Sequence, residues 1–400
     1  MKKSLFAVAA VTAFAGAAQA QSSVTVYGLL DVGFAGTTTR LGNQKQNNTS
    51  FTGTGSESTS RLGFRGTEDL GGGTRAFFTA EFDLAPTNWN LSGDNNDGIF
   101  NRQTFVGLGQ KGIGQAAIGT QYTPVHLAVA RTDPGQANNM AGNLIYAVNA
   151  ATGSGSTGVQ SYQVRYNNAI TFQSERISGL QVYAIYNNNN GTTNNPSTVQ
   201  TTANNQAMGA GLNFVWKKLN IDLATNQSKQ ATISGSAVTA ATNPATAARN
   251  AAVPNLLGTS IGWSQNYAAA TYDFGFMTVY AQYLQGTMTS NLNDQMYIKR
   301  SAQQIGVRSF VTPKIEAWAS GSMGKLSAGG LTATTSTVAN ALATSTRSDS
   351  DMNAYQLGTN YWLSKRTNMY AIFGQTTRSQ SAQIISAGQN SYGLGVRHTF

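Results

Sequence analysis

The sequence is 400 residues long, contains no cysteine and carries a formal net charge of +10 from 26 basic and 16 acidic residues. The lack of cysteine excludes a disulfide framework and thiolate metal sites. Only 10% of the residues are charged, well below the roughly 25% of ordinary soluble domains. The basic residues are scattered rather than clustered in a stripe, which argues against a nucleic-acid partner and leaves an anionic solute as the alternative.

The first residues resemble an export signal. The basic pair Lys2-Lys3 precedes an apolar, alanine-rich run over residues 5–18, and Ala18-Gln19-Ala20 fits the small-x-small cleavage pattern. The run is shorter than the ~20 apolar residues that a membrane-spanning helix needs. We therefore expect residues 1–20 to be a signal peptide and residues 21–400 to form one domain.

Most of the remaining chain alternates between apolar and polar residues. Because successive side chains of a strand point to opposite faces, this pattern predicts strands with one apolar and one wet face. In residues 161–173 the predicted apolar face consists of Tyr162, Val164, Tyr166, Ile170 and Phe172. No window shows a sustained 3.6-residue period, so the pattern predicts an all-β protein.

Sixteen such runs follow one another. They cover approximately residues 24–34, 59–70, 73–84, 101–110, 114–122, 161–174, 178–189, 206–216, 219–229, 258–272, 275–288, 297–311, 313–325, 351–364, 366–379 and 388–400.

The connections between these runs alternate in length. Short links, such as 71–73 and 111–112, alternate with long polar stretches, such as 35–58 and 123–160. Transmembrane barrels have this asymmetry between tight periplasmic turns and long outer loops. All prolines fall in connections, as expected because proline cannot donate to a strand ladder: Pro86, Pro124, Pro134, Pro196, Pro244, Pro254 and Pro313. The sequence therefore predicts a transmembrane antiparallel β-barrel of about sixteen strands.

Several stretches resemble a known family. They are Ser23-Val24-Thr25-Val26-Tyr27-Gly28, residues 60–71 (SRLGFRGTEDLG), Phe100-Asn101-Arg102-Gln103, residues 363–367 (LSKRT) and the terminal residues 395–400 (GVRHTF). On these residues the chain resembles the trimeric general porins of Gram-negative bacteria, particularly the betaproteobacterial type, and the resemblance spans the mature chain.

The resemblance implies a homotrimer in the bacterial outer membrane, in contact with lipid and lipopolysaccharide. It implies a passive diffusion channel for small hydrophilic solutes and ions, not an enzyme. It also implies that the terminal Phe400 is part of the signal read by the outer-membrane assembly machinery.

Alternation and resemblance together select the pore residues. The family carries a row of arginines across the narrowest section, and the matching positions are Arg61, Arg102 and Arg165. Alternation turns all three inward, with Phe105 and Tyr166 on the outer side. Other residues expected to line the pore are Arg65, Arg75, Glu81, Asp83, Asp31, Arg308 and Arg397. Glu81, Asp83 and Asp31 are the carboxylates that could neutralise the arginines and leave a nearly unselective channel.

The third long connection, residues 123–160, is the expected constriction loop, because in the family this loop folds into the barrel and narrows it. Its ionisable residues are His126, Arg131 and Asp133. Asp133 is thus its one carboxylate and is expected at the constriction, whereas cation-preferring members of the family carry several acids here. This departure from their pattern, together with the arginines, predicts a preference for small anionic or neutral solutes.

Two alternative functions accompany this interpretation. A substrate-specific channel would use the wall arginines or aromatic residues as a solute track, and a secreted β-rich adhesin would share the composition but show a fixed repeat. Cofactors are not expected. Asp94, Asn95, Asn96 and Asp97 offer oxygen ligands of the kind that calcium takes, but a solvated loop tip is the interpretation that we favour. The two histidines, His126 and His398, have no triad spacing, which argues against a hydrolase.

Overall fold

The fold is known from a computed structural model that describes residues 23–41, 43–87, 100–146, 148–149, 154–155, 162–195, 198–234, 259–291, 297–329, 348–380 and 387–400. The expected signal peptide and the loop with the calcium alternative, Asp94 to Asp97, lie outside these ranges. Among the described residues, no helix has the length and apolarity to cross a membrane.

Sixteen strands occupy the predicted alternating runs, and three, at residues 44–52, 148–149 and 154–155, lie in predicted connections. The described residues form nineteen strands in all. They are β1 (Ser23–Leu41), β2 (Gln44–Thr52), β3 (Arg61–Gly71), β4 (Thr74–Asp83), β5 (Asn101–Gln110), β6 (Gly114–Tyr122), β7 (Val148–Asn149), β8 (Ser154–Gly155), β9 (Arg165–Ser174), β10 (Leu180–Asn195), β11 (Thr198–Trp216), β12 (Leu219–Ser234), β13 (Thr259–Asp273), β14 (Thr278–Ser290), β15 (Tyr297–Phe310), β16 (Ile315–Gly329), β17 (Ser348–Trp362), β18 (Thr367–Gln380) and β19 (Ala387–Thr399). One helix, α1 (Pro124–Thr132), follows β6.

The sheet closes on itself. Neighbouring strands pair antiparallel around the barrel, and β19 returns beside β1 in a ladder from Leu29↔Thr399 to Leu41↔Ala387. Closure leaves no free barrel edge, so every spanning strand is paired on both sides. The backbone of the terminal Phe400 completes the ladder by exchanging hydrogen bonds of 3.0 and 3.1 Å with Gly28.

Sixteen strands form the circumference, as predicted. The sheet contains a seventeenth strand, β2, because two strands share one side of β1. Both β2 and β3 pair with the same side of β1: β2 with residues 33–41 and β3 with residues 23–29. The prediction that residues 35–58 form one polar loop was therefore wrong, because β1 and β2 continue the wall as a hairpin. Residues 53–60, which we call the inner segment, interrupt the row between β2 and β3.

The short turns form where the sequence predicted them. Between β3 and β4, Gly71, Gly72 and Gly73 all have φ between 62 and 82°, a left-handed conformation that only glycine adopts without strain. The outer surface of the barrel is apolar, with exposed side chains such as Val106, Ile118 and Leu394. This surface is the lipid-facing band that a transmembrane barrel requires.

The start of β9 differs from the prediction. The strand begins at Arg165 rather than at residue 161, and Tyr162 and Val164, assigned to the outer face, are 0% and 7% exposed inside the barrel. They pack with residues of α1 such as Val125. The alternation was broken because this stretch of the chain supports the base of an inward-folded loop.

Candidate pore constriction

Residues 123–146, which we call the inner loop, fold into the barrel as the resemblance implied. Thr123 caps α1 by accepting a hydrogen bond from the backbone N–H of His126 at 3.2 Å, and Pro124 occupies the first turn, where its missing N–H costs nothing. The apolar face of α1 packs on the wall in one buried cluster with Tyr267 and Leu284. On the next turn, Arg131 donates to Asp222 of β12 at 3.2 Å.

The second half of the inner loop follows the inner wall toward β19. Asn138 and Gln356 of β17 exchange hydrogen bonds of 2.6 and 3.0 Å. The backbone N–H of Ala141 donates to Ser391 of β19 at 2.8 Å. A Cβ at Gly374 would lie 1.8 Å from the carbonyl oxygen of Ala141, so this glycine is what allows the loop to lie against β18.

Arg308 holds the middle of the inner loop and does more than line the pore. Its guanidinium makes a double hydrogen bond to Glu316, at 2.6 and 2.8 Å, and donates to the carbonyl oxygen of Pro134 at 2.7 Å. The pair is buried, and a buried ion pair needs this additional hydrogen bonding to offset its desolvation. Sequence alternation placed Arg308 inside but could not show its attachment to the loop.

Asp133 lies elsewhere than expected. Its carboxylate is 2% exposed and accepts hydrogen bonds from Gln304 of β15, from Asn143 and from the backbone N–H of Ala137, at 2.8, 2.8 and 2.7 Å. Burial raises the pKa of Asp133, and these hydrogen bonds oppose the rise. The acid therefore anchors the loop to the wall instead of facing the water of the constriction.

The three predicted arginines meet on the opposite wall. Arg102 donates to Glu81 at 2.9 Å and lies 3.6 Å from Asp83. Arg61 lies 3.9 Å from the same Glu81 and donates to Ser58 of the inner segment at 2.7 Å. Arg165 has no carboxylate within ion-pair distance among the described residues.

Tyr122 joins two of these arginines and is not among the residues predicted from the sequence. Its hydroxyl oxygen accepts from Arg102 at 3.1 Å and from Arg165 at 3.4 Å, and the Arg165 guanidinium lies 4.9 Å from its ring centroid. The feature of the sequence that could have indicated its role is its position as the last residue of β6, immediately before the inner loop.

Strict alternation does not explain why Arg102 points inward. Phe105, predicted to face outward, packs edge-to-face against Phe77, which lies under the inward Arg75. Val106 is instead the exposed residue. The pairing of β4 with β5 shifts register opposite Arg102, and this irregularity returns Arg102 to the lumen. Its predicted orientation was right and the predicted parity of the strand was wrong.

Tyr166 is a second exception to alternation. The alternation predicts that it faces outward, yet its hydroxyl lies close to Ser228 of β12, which shares the inward face with Asp222. Asn168, two residues after Tyr166, has a φ of 48°, and the pairing of β6 with β9 shifts register nearby. Both features interrupt the regular pleat on which the prediction depended.

Three other arginines that were predicted to line the pore lie apart from the constriction cluster. Arg65 stacks on Tyr27, and Arg75 donates to Gln115 at 2.8 Å near the periplasmic end. Arg397 lies 3.4 Å from Glu57 of the inner segment. These three arginines line the lumen on the faces that alternation predicted.

Asp31 neutralises none of the three constriction arginines. It is fully buried and accepts from the backbone N–H groups of Glu57 and Ser58 at 3.0 and 2.7 Å, and from Tyr370 at 2.6 Å. Its function is to hold the inner segment inside the barrel. The segment in turn contacts the inner loop, because the backbone N–H of Asn139 donates to the carbonyl oxygen of Ser56 at 2.9 Å.

His126 sits behind the arginine cluster. It stacks on Tyr122 with ring centroids 4.4 Å apart, and its Nδ1 lies 3.1 Å from the hydroxyl of Tyr162. Burial, with the positive charges of Arg165, Arg102 and Arg61, lowers the pKa of His126 to about 3. The imidazole is therefore neutral at physiological pH and adds no charge to the constriction.

Comparison with known proteins agrees with this architecture. The family model described as Gram-negative porin matches residues 7–381. An outer membrane porin of Bordetella pertussis is 29% identical, with all of both chains covered. Outer membrane porin protein 32 of Delftia acidovorans is 36% identical over 180 residues, covering 45% of this chain and 48% of its own.

Solved structures show the same fold. An anion-selective porin from Comamonas acidovorans superposes with a TM-score of 0.64 at 20% identity, covering 95% of this chain and 100% of its own. OmpT of Vibrio cholerae, solved in a trimer form, gives a TM-score of 0.56 at 13% identity, covering 95% and 99%. With its matching family model, closed barrel and inward loop, the chain belongs to the Gram-negative porin family and is a multi-pass porin of the outer membrane.

Proposed function

We propose that this porin is a general diffusion channel that prefers anions. The observation that carries the proposal is the charge balance of the constriction. Arg61, Arg102 and Arg165 stand against Glu81 and Asp83, and this leaves one net positive charge. Arg165 contributes that charge most directly, because it is the member of the cluster without a carboxylate within ion-pair distance in the described part of the chain.

The inner loop does not cancel this charge. Among its described residues, Asp133 is buried, Arg131 is paired with Asp222, and His126 is neutral. Arginine remains protonated at any working pH. A fixed positive charge in a narrow lumen raises the local concentration of anions and lowers that of cations. The name of the solved anion-selective porin is in keeping with this proposal.

The test compares reversal potentials of two variants in planar bilayers. Arg165→Gln removes the unpaired charge. One unit charge at about 5 Å in water is worth about 0.8 kcal/mol, so the anion-to-cation permeability ratio should fall by at least roughly fourfold. The matched control is the double variant Arg102→Gln/Glu81→Gln, which removes a paired cation and anion together and should change the ratio by less than about twofold. Equal losses in both would contradict the assignment to Arg165.

The same proposal includes assembly and processing. We expect residues 1–20 to be removed on export, leaving residues 21–400 as the barrel domain, and Phe400 to be read during assembly. We also expect a homotrimer whose outer loops contact lipopolysaccharide. A solution mass of three barrels in mild detergent is the expected result, and a monomeric mass would reject the trimer.

A further inference from the structure

The hydroxyl of Tyr122 is an uncharged acceptor between two cations. A phenol oxygen has two lone pairs and can accept from two donors at once, here from Arg102 at 3.1 Å and Arg165 at 3.4 Å. The ring adds a second contact, because the Arg165 guanidinium lies 4.9 Å from its centroid. Both contacts fix the position of Arg165 without neutralising its charge.

A competing partner for Arg165 lies nearby. Within the described ranges, Asp83 Oδ1 is buried and has no hydrogen-bond partner. Its nearest cation, the Arg102 Nη1, is 3.6 Å away, beyond hydrogen-bond distance. Arg102 contacts both Asp83 and Tyr122, and Tyr122 contacts Arg165. Arg165 and Asp83 therefore belong to one cluster, although the two form no ion pair. In this partly dry site, the attraction between opposite charges would favour their contact.

Arg165 also has capacity for another bond. Its Nε lacks a hydrogen-bond partner in the described structure, so the guanidinium can donate a further hydrogen bond. Among the described residues, each group keeps one buried polar atom without a partner, Arg165 Nε and Asp83 Oδ1, and a charge-assisted hydrogen bond between the two groups would be favourable. A contact that fixes Arg165 elsewhere is needed to keep them apart. In the described structure, the side chain of Arg165 donates a hydrogen bond to the Tyr122 hydroxyl.

We propose that Tyr122 is a positioning residue that holds Arg165 away from Asp83 and so keeps the Arg165 charge available to anions in the pore. This inference depends on the proposed anion preference for its effect on transport. The predicted separation of Arg165 from Asp83 does not depend on that preference.

The test uses two variants of the full-length porin. Tyr122→Phe keeps the ring and removes the hydroxyl. In a crystal structure of this variant we expect the Arg165 guanidinium within about 4 Å of the Asp83 carboxylate, the distance of an ion pair. In KCl gradients its anion-to-cation permeability ratio should fall severalfold. Adding Asp83→Asn to Tyr122→Phe removes the competing charge and should restore the ratio to the wild-type value or above.

A matched control separates this effect from the general loss of a lumenal hydroxyl. Tyr183→Phe also removes an inward-facing tyrosine hydroxyl, one that donates to Gln181 and contacts none of the three constriction arginines. Its permeability ratio should equal that of the wild type.

The outcomes distinguish the two proposals. An unselective wild type would reject the anion preference, and the crystal structure of Tyr122→Phe would still decide the positioning role. A selective wild type with an unchanged Arg165 position in Tyr122→Phe would overturn the inference alone. A loss of selectivity that Asp83→Asn does not reverse would also overturn it.

Discussion

At the scale of single residues, the effect of each charge in the pore depends on the partner that the charged group contacts. Glu81 holds Arg102, Glu316 holds Arg308, and Arg165 is held by an uncharged phenol. A salt bridge cancels most of the field that a solute experiences, whereas a phenol leaves it intact. Selectivity therefore depends on the choice of acceptor for each arginine.

One prediction at this scale concerns acid. Because the folded barrel holds the pKa of His126 at about 3, the unfolded chain, with its pKa of ~6.5, binds the proton first as pH falls. The stability gained from the neutral imidazole is complete above pH ~6.5 and decreases progressively between ~6.5 and about 3.

Thermal unfolding in detergent at pH 7.5 and pH 4.5 measures this effect. The wild type should lose more of its melting temperature on acidification than His126→Gln, because the variant lacks the titrating ring. The carboxylates shared by both proteins cancel in the comparison. Equal losses would show that His126 is not kept neutral by its site.

Sequence patterns predicted which residues face the lumen better than they predicted what those residues contact. Arg61, Arg102 and Arg165 were brought together as expected. Tyr122 could not be assigned, because its partners come from β5 and β9 and no local pattern marks the pairing. Asp31 was misassigned for the same reason, since its hydrogen-bond partner Tyr370 is 339 residues away.

At the scale of elements, the barrel is a wall with two inward additions. The inner loop is tied by side chains of β12, β15, β17 and β19, and the inner segment is tied to Asp31 and to the loop. Strand periodicity predicted the wall because lipid on one side and water on the other impose it. It failed at β2, whose residues are almost all polar and exposed, so that no apolar face marks the strand in the sequence.

The prediction at this scale concerns the Arg308 anchor. Replacing Arg308 with Met leaves Glu316 buried without its cation and the Pro134 carbonyl without its donor. Breaking one partner of a buried pair costs roughly 3–5 kcal/mol. We expect lower thermal stability and a larger, noisier single-channel conductance, because the middle of the inner loop is released.

The double variant Arg308→Met/Glu316→Gln tests the cause. Removing the buried carboxylate charge should recover part of the stability, although Pro134 remains without its donor and the noise should persist. Quiet, wild-type conductance in Arg308→Met would contradict the anchoring role.

At the scale of the whole molecule, the closed wall provides the hole and the internal additions set its width and charge. The arginine cluster occupies the side of β3, β5 and β9, and the inner loop covers β12 to β19. The described loop presents no unpaired carboxylate to the arginines. The field at the constriction is therefore net positive, and mobile ions screen it over about 30 Å at 0.01 M salt but only about 3 Å at 1 M.

The reversal potential of the wild-type porin under a KCl gradient tests this account most directly. Measured once near 0.01 M and once near 1 M salt, it should have the sign of an anion-preferring channel in both cases and be larger at low salt. A potential of zero at low salt, or one of the opposite sign, would contradict the assignment of a net positive constriction.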